Sequence, residues 1–235
     1  MPARLVRGRS FAQLTDGSVD FAFVCGLPYV RLSGDGVCAI AAPVVTGDRY
    51  GGRPIYFSDV IVPADSSARS FGDLRGSLWA YNEPDSHSGY LITLHHLLEM
   101  GETADFFDRW VRTGYHQESI RRVAAGEVDA SAVDSQVLAV ELRDHPELAD
   151  RLRVIDVLGP STIQPLVAAP GTTDSMRHDV QAGVCAVGAD DEDRARLSAC
   201  LVDRFAAIGD ADYADIRAML SAVEAAGSRL VPAAM

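Results

Sequence analysis

Residues 78–90 read LWAYNEPDSHSGY and join a short strand to the start of a helix. The first four residues are apolar and aromatic, which is typical of a buried strand. From Ser88 onward, leucines at positions 91, 94, 97 and 98 form the stripe of an amphipathic helix. This stretch therefore predicts a strand, a polar turn and a helix in succession, which is the repeating unit of an α/β fold.

The same alternation continues toward the C-terminus with short connections. The predicted elements are a helix from Ser88 to Gly101, helices at 103–114 and around 120–124, a strand at 128–133, a helix at 135–143 and a strand at 152–157. Strands that alternate with helices in this way predict a parallel sheet.

The flanking segments predict a second layer. Upstream, residues 19–25 favour a strand, and residues 37–45 and 54–62 favour two strands paired across a glycine-containing turn. Downstream, an extended run at 166–169 precedes helices at 175–187, 191–208 and 211–226, with no further strand predicted. We expect two α/β lobes, with crossings near 65–75 and 158–166 and a ligand cleft between them.

Composition excludes several function classes. Among 235 residues, 33 acidic side chains outnumber 21 basic ones, and the net charge of -12 disfavours a nucleic-acid partner. All the basic residues are arginines, so a lysine Schiff base, a Walker lysine and a Ser-x-x-Lys pair are excluded. We predict no cofactor and no metal site. No apolar run is long enough to cross a membrane, and no signal peptide is predicted in this chain.

The polar turn has the residue types of an anion site. Ser86 and Ser88 supply hydroxyls, His87 supplies an imidazole, and the helix N-terminus supplies free N–H groups and a positive dipole end. The same residues also fit an ordinary helix cap after a proline turn. His116 and Asp134 fall at equivalent strand-to-helix positions, where a capping role is the alternative for each.

Seven motifs resemble, in order and spacing, the substrate-binding proteins of phosphate, phosphite and phosphonate ABC importers. The motifs are GSVDFA at 17–22, YFSDVIV at 56–62, FGDLRG at 71–76, PDSHSGY at 84–90, HQES at 116–119, GEVDA at 126–130, and Gly159-Pro160 followed by QPLV at 164–167. The resemblance implies a two-lobe fold of the type II periplasmic-binding-protein class. Lobe 1 would comprise residues 1–70 and 166–235, and lobe 2 residues 71–165.

The resemblance also implies roles for individual residues. The turn residues Ser86, His87 and Ser88 would bind the oxygens of a phosphorus oxyanion, with Tyr56 as an aromatic wall and His116 as an oxygen donor. Asp134 would face the rest of the ligand together with Gln164. Because Gln164 stands where aminophosphonate binders place a second carboxylate, 2-aminoethylphosphonate is not the expected ligand. The family's first strand, loop and helix are not found in this chain, so lobe 1 is expected to be incomplete.

The expected function is capture of a phosphonate, phosphite or phosphate for ABC import, with an ABC permease as a possible partner and a cell-envelope or periplasmic location implied by the resemblance. Two alternatives remain open. A cytoplasmic ligand sensor would fit the missing export signal. A hydrolase could use Ser88, His116 and Asp134, which are the residue types of a nucleophilic triad, although no Gly-x-Ser-x-Gly sequence surrounds Ser88.

Overall fold

Two β-sheets form the framework of the protein in a computed structural model, which describes residues 4–6, 8 and 10–230. The strands are β1 (Phe21–Phe23), β2 (Cys38–Val45), β3 (Ile55–Pro63), β4 (Leu78–Tyr81), β5 (Arg109–Arg112), β6 (Ala130–Asp134), β7 (Leu152–Thr162), β8 (Leu166–Ala168) and β9 (Val202–Ala207). The helices are α1 (Ala12–Thr15), α2 (Gly26–Leu32), α3 (Ile92–Glu99), α4 (His116–Ala124), α5 (Ser135–Asp144), α6 (Asp174–Cys185), α7 (Asp191–Ala199) and α8 (Ala214–Ala226).

The second sheet has the strand order β5-β4-β6-β3-β7. Strands β5, β4 and β6 are parallel, and β3 runs antiparallel to both of its neighbours. An aromatic core covers one face, where Trp79 stacks on Phe107 with ring centroids 4.5 Å apart. Because β4 and β6 are adjacent and parallel, the turns that follow them emerge at the same edge of the sheet.

The first sheet has the order β1-β8-β2-β9, and all its neighbouring strands are antiparallel. Apolar residues of α2 and α8 pack with this sheet in one core, and α6 contributes to another. Helix α8 also contacts α3 and β7, so the C-terminal helix joins the two sheets. Together these contacts confirm the predicted α/β fold with two layers of sheet. No helix in the described part of the chain has the length and apolarity needed to span a membrane.

Two predictions about the connections between sheets need correction. The segments 37–45 and 54–62 do not form a hairpin, because β2 lies in the first sheet and β3 pairs with β6 and β7 in the second. The chain therefore first changes sheet between residues 45 and 55, not at 65–75. The return lies between β7 and β8, inside the predicted range 158–166. The proposed lobe ranges stay a prediction, and a division that follows the sheets moves β3 out of lobe 1.

Three secondary-structure predictions are also wrong. The predicted helix 103–114 contains a single turn and then β5, because Trp110 pairs beside Trp79 in a parallel ladder that satisfies its backbone groups. The predicted helix 191–208 ends at Ala199, and β9 completes the edge of β2. Finally, β7 is antiparallel to β3, whereas the alternation predicted a parallel strand.

An ion pair attaches the first connection to the second sheet. The Arg49 guanidinium donates two hydrogen bonds, of 3.0 and 2.7 Å, to the two carboxylate oxygens of Asp59 on β3. Asp59 is 3% exposed, and the guanidinium also lies over the Phe57 ring at 4.5 Å. Bidentate pairs of this kind combine charge with fixed geometry. The segment that links β2 to β3 is therefore held against the strand that it enters.

We predict that Asp59→Asn lowers the free energy of unfolding by about 1–3 kcal/mol, because Arg49 loses one of its two charged acceptors in a largely buried place. Urea denaturation followed by circular dichroism measures the change. Asp203→Asn is the matched control, since Asp203 pairs with Arg204 on the surface, where both side chains are about half exposed. An equal loss of unfolding free energy in both variants would show that the Arg49–Asp59 pair stabilises the fold no more than a surface ion pair does.

Candidate functional site

The polar turn after β4 is built around Ser86. Its hydroxyl accepts a hydrogen bond from the Gly89 amide at 3.0 Å, and its carbonyl accepts one from the Leu91 amide at 3.1 Å. The second bond spans five residues, so residues His87–Leu91 form a wide π-helical turn before α3 begins. We call residues 86–90 the serine turn. Gly89 is required there because a Cβ would collide with Asn82 Oδ1 and crowd His116.

The serine turn is enclosed. Ser86, His87 and Ser88 are 3%, 0% and 1% exposed. Cys25, which follows β1 of the first sheet, accepts a hydrogen bond from the His87 amide at 3.4 Å. At the more exposed rim, Arg31 of α2 forms an ion pair with Asp85. The turn of the second sheet is therefore covered by groups from the first.

This enclosure corrects one sequence prediction. The sequence predicts free N–H groups at this helix N-terminus, yet the amides of His87 and Gly89 donate hydrogen bonds to Cys25 and Ser86 respectively. The Ser86 hydroxyl likewise serves as the cap of the turn, which is the alternative role that the sequence left open. An incoming anion would have to replace these bonds or use the other groups of the turn.

His87 is a buried, neutral histidine. Its Nε2 shares a hydrogen bond of 2.8 Å with the hydroxyl of Ser161, while its Nδ1 is buried and has no partner in the described ranges of the chain. Burial lowers the pKa of His87 to about 3, with a smaller contribution from His95. A neutral imidazole can donate from one nitrogen and accept at the other. Depending on its tautomer, His87 can offer an N–H to a ligand oxygen from inside the turn.

His116 forms the second polar contact of the turn. It begins α4, and its Nε2 shares a hydrogen bond of 3.0 Å with the Ser88 hydroxyl. Burial lowers the pKa of His116, and the nearby Asp134 carboxylate opposes that change. The Nδ1 of His116 is buried, and no described residue forms a hydrogen bond with it. The predicted nucleophile and base are thus in contact, but Asp134 makes no hydrogen bond to this ring, so the catalytic triad of the hydrolase alternative lacks its second link.

Asp134 ends β6 and caps α5. Its Oδ1 accepts hydrogen bonds from the amides of Gln136 at 2.8 Å and Val137 at 3.2 Å, which confirms the capping role. Its Oδ2 accepts a bond of 2.6 Å from the side-chain amide of Gln164, in the segment that returns to the first sheet. Asp134 is 1% exposed. Two of the predicted site residues are therefore joined directly, and a side chain of the connection between β7 and β8 reaches the end of β6.

Tyr56 supplies a buried aromatic ring beside the turn. Its ring lies 6.1 Å from that of His87, and it is 1% exposed. Its hydroxyl is buried and finds no hydrogen-bond partner within residues 4–6, 8 and 10–230. Burial raises the pKa of Tyr56 well above its usual value, and the neighbouring Ser88 hydroxyl offsets part of that effect. The phenol is therefore a neutral donor near Ser88.

The structure brings the seven predicted residues into one neighbourhood through these contacts. Sequence analysis missed three others that shape it, namely Cys25, Asn82 and Ser161. Asn82 lies in the quoted stretch 78–90, and Ser161 directly follows Gly159-Pro160, but nothing in the spacing showed that their side chains face the serine turn. Within residues 4–6, 8 and 10–230, no three side chains of the metal-binding types converge on a possible metal position.

Solved structures with the same fold include three binding proteins. One is a binding protein component of an ABC phosphonate transporter from Pseudomonas aeruginosa, 20% identical over 90% of this chain and 71% of that chain, with a TM-score of 0.79. PhnD1 from Prochlorococcus marinus, in complex with methylphosphonate, is 17% identical. The match covers 91% of this chain and 81% of that chain, with a TM-score of 0.79. The periplasmic aliphatic sulphonate binding protein SsuA from Escherichia coli is 15% identical. The match covers 94% of this chain and 65% of that chain, with a TM-score of 0.55.

These likenesses establish a type II periplasmic-binding-protein fold. A family model described as "ABC transporter, phosphonate, periplasmic substrate-binding protein" matches residues 9–213. The match spans most of the sequence and contains all seven site candidates. The chain therefore belongs to the family of periplasmic substrate-binding proteins of phosphonate ABC transporters.

Proposed function

We propose that this protein binds a small phosphorus oxyanion, such as a phosphonate, phosphite or phosphate, at the serine turn and presents it to an ABC permease in the cell envelope. The ligand oxygens would be held by Ser88, His87 and His116, with Tyr56 as a wall and further donor. Asp134 and Gln164 would face the remaining side of the ligand. The solute-binding role is that of the family, and the residue roles are our proposal.

One observation carries the proposal. Three side-chain polar atoms in the neighbourhood of Ser88, namely Tyr56 Oη, His87 Nδ1 and His116 Nδ1, are buried and have no hydrogen-bond partner among the residues that the structure describes. Leaving a buried polar group unpaired costs about 1–3 kcal/mol each, so such a cluster is unusual in a region with only a packing role. A ligand with several acceptor oxygens would satisfy these groups together.

The energetics favour a closed site. About four hydrogen bonds to a charged ligand, at about 1.5–3 kcal/mol each, would contribute ~6–12 kcal/mol. Association and ordering cost ~4–15 kcal/mol. Useful affinity therefore requires that water be kept from these bonds, because their strength depends on a low local dielectric. The contacts of Cys25 and Arg31 with the turn are of the kind that provide such exclusion.

Ser88→Ala is expected to weaken binding of methylphosphonate at least tenfold, because the variant removes a hydroxyl at the centre of the cluster. Isothermal titration calorimetry measures the dissociation constant. Ser131→Ala is the matched control: Ser131 is also a buried serine of the second sheet, but its hydroxyl bonds to the Ala80 carbonyl. Unchanged affinity in Ser88→Ala, or equal weakening in the control, would contradict the proposed site.

The neutral state of His87 predicts how stability depends on pH. Its pKa is about 3 in the folded protein, below its ordinary value of 6.5, so the unfolded chain binds the proton more tightly. The contribution of neutral His87 is therefore complete above about pH 6.5 and is lost as the pH falls toward 3. Between about pH 7 and pH 5, the free energy of unfolding should fall by about 1–2 kcal/mol because of this residue.

Urea denaturation of the wild type and His87→Asn at both pH values tests this expectation, since the variant should lose that part of the pH dependence. His178→Asn removes an exposed histidine and serves as the control. The same pH dependence in the wild type and His87→Asn would mean that His87 is not a buried neutral group.

A further inference from the structure

Cys25 is a residue of the first sheet whose side chain reaches the serine turn. It follows β1 and stands at the N-cap position of α2, yet its side chain makes no capping hydrogen bond to that helix. Its sulfur instead accepts the hydrogen bond of 3.4 Å from the His87 amide, across the boundary between the two sheets. The thiol therefore takes up a backbone donor of the turn at which the ligand oxygens are proposed to bind.

N–H groups on both sides of this boundary act on the thiol. Burial raises the pKa of Cys25 from 9.0, and the amides of His87, Leu27 and Gly26 offset part of that increase. The thiol in turn contributes to raising the pKa of Tyr56, whose almost wholly buried hydroxyl has no hydrogen-bond partner in the described part of the chain. The sulfur thus lies beside groups that the proposed function assigns to the ligand.

The thiol is a poor acceptor for these N–H groups. Because its pKa lies above 9.0, Cys25 is uncharged near neutral pH. The sulfur of an uncharged thiol accepts hydrogen bonds only weakly. A charged ligand oxygen forms shorter and stronger bonds to the same kind of donor. A phosphorus oxyanion would gain by taking the His87 amide from the sulfur, but it would first have to displace the sulfur.

We propose that Cys25 is an internal competitor of the ligand, because its thiol takes the His87 amide that a ligand oxygen would otherwise take, and that it thereby lowers the affinity of the site. The inference rests on the proposed function and deepens it by assigning a residue that opposes binding. Part of the binding free energy is used to separate the sulfur from the amide, so the side chain at position 25 sets how tightly a small phosphorus oxyanion is held.

Cys25→Ala tests the competition. The variant removes the sulfur, so a ligand oxygen forms a charge-assisted hydrogen bond to the His87 amide without displacing another acceptor. The dissociation constant for methylphosphonate, measured by isothermal titration calorimetry of the full chain, should fall about tenfold. Cys25→Ser keeps a side-chain acceptor, and a hydroxyl accepts more strongly than a thiol. Its dissociation constant should be no lower than that of the wild type.

Cys38→Ala is the matched control. Cys38 is a half-buried cysteine of the same sheet, and its thiol donates to the Gly36 carbonyl at 3.5 Å. This variant should bind methylphosphonate with the affinity of the wild type. Circular dichroism of each variant shows whether it is folded before its affinity is compared.

A spectroscopic measurement separates competition from a merely structural role of Cys25. The S–H stretching band in the infrared spectrum depends on the hydrogen bonds of a thiol. The band of Cys25 is obtained as the difference between the wild type and Cys25→Ser. This band should shift when methylphosphonate is added, because the sulfur gives up the His87 amide, and it should stay in place when buffer alone is added.

The outcomes separate this inference from the proposed function. If folded Cys25→Ala binds methylphosphonate no more tightly than the wild type, or if Cys38→Ala gains as much affinity, the thiol is not a competitor and the binding site stands. If Cys25→Ala does not fold, the infrared band decides, and an unshifted band in the ligand-bound wild type overturns the inference. If methylphosphonate, phosphite and phosphate bind neither the wild type nor a Cys25 variant, the proposed function fails, and this inference fails with it.

Discussion

The site depends on one constraint, a carboxylate that is almost wholly buried and has no cationic partner in the described part of the chain. Asp134 is tolerated in its position because three N–H groups donate to it. Two of these belong to the first turn of α5 and the third to Gln164, so the same side chain orders the end of a strand, the start of a helix and the return to the first sheet. Loss of any one of these elements would leave a buried charge with too few donors.

The rest of the site is organised around neutral groups. His87 is kept neutral by burial, and its partner is the hydroxyl of Ser161 rather than an acid. Ser88 and His116 bond to each other. In the proposed function, an anion would be held here by dipoles and hydroxyl groups that are fixed in advance, and the exclusion of water would strengthen these bonds.

Contacts between the two sheets determine access to the serine turn. Cys25 and Arg31 approach it from the first sheet, and on another side Gln136 of α5 donates to the carbonyl of Cys200, between α7 and β9. For the proposed ligand, entry would require that these contacts separate, and retention would require that they reform. The connections at 46–54 and 163–165, which join the two sheets, would then have to accommodate the movement.

Local patterns predicted much of the second sheet. β4, α4, β6 and α5 were found from apolar periodicity, and the polar residues at the ends of β4 and β6 were found from their position. The two wrong helix predictions share a cause. The local composition of β5 and β9 permits a helix, so the sequence pattern predicts one at each position. Each became a strand because a neighbouring strand had backbone groups to pair, and such pairing partners are distant in the sequence.

The amino-acid sequence alone determined the fold class, the family and the group of polar residues at the strand ends, because these depend on periodicity and on residue types at short spacing. Tertiary structure decided which of those residues meet. Only the three-dimensional packing joined Ser88 to His116, His87 to Ser161 and Asp134 to Gln164, and only burial made the histidines neutral. Hydrogen-bond partners and local dielectric are properties of groups brought together from remote parts of the chain, so local sequence does not specify them.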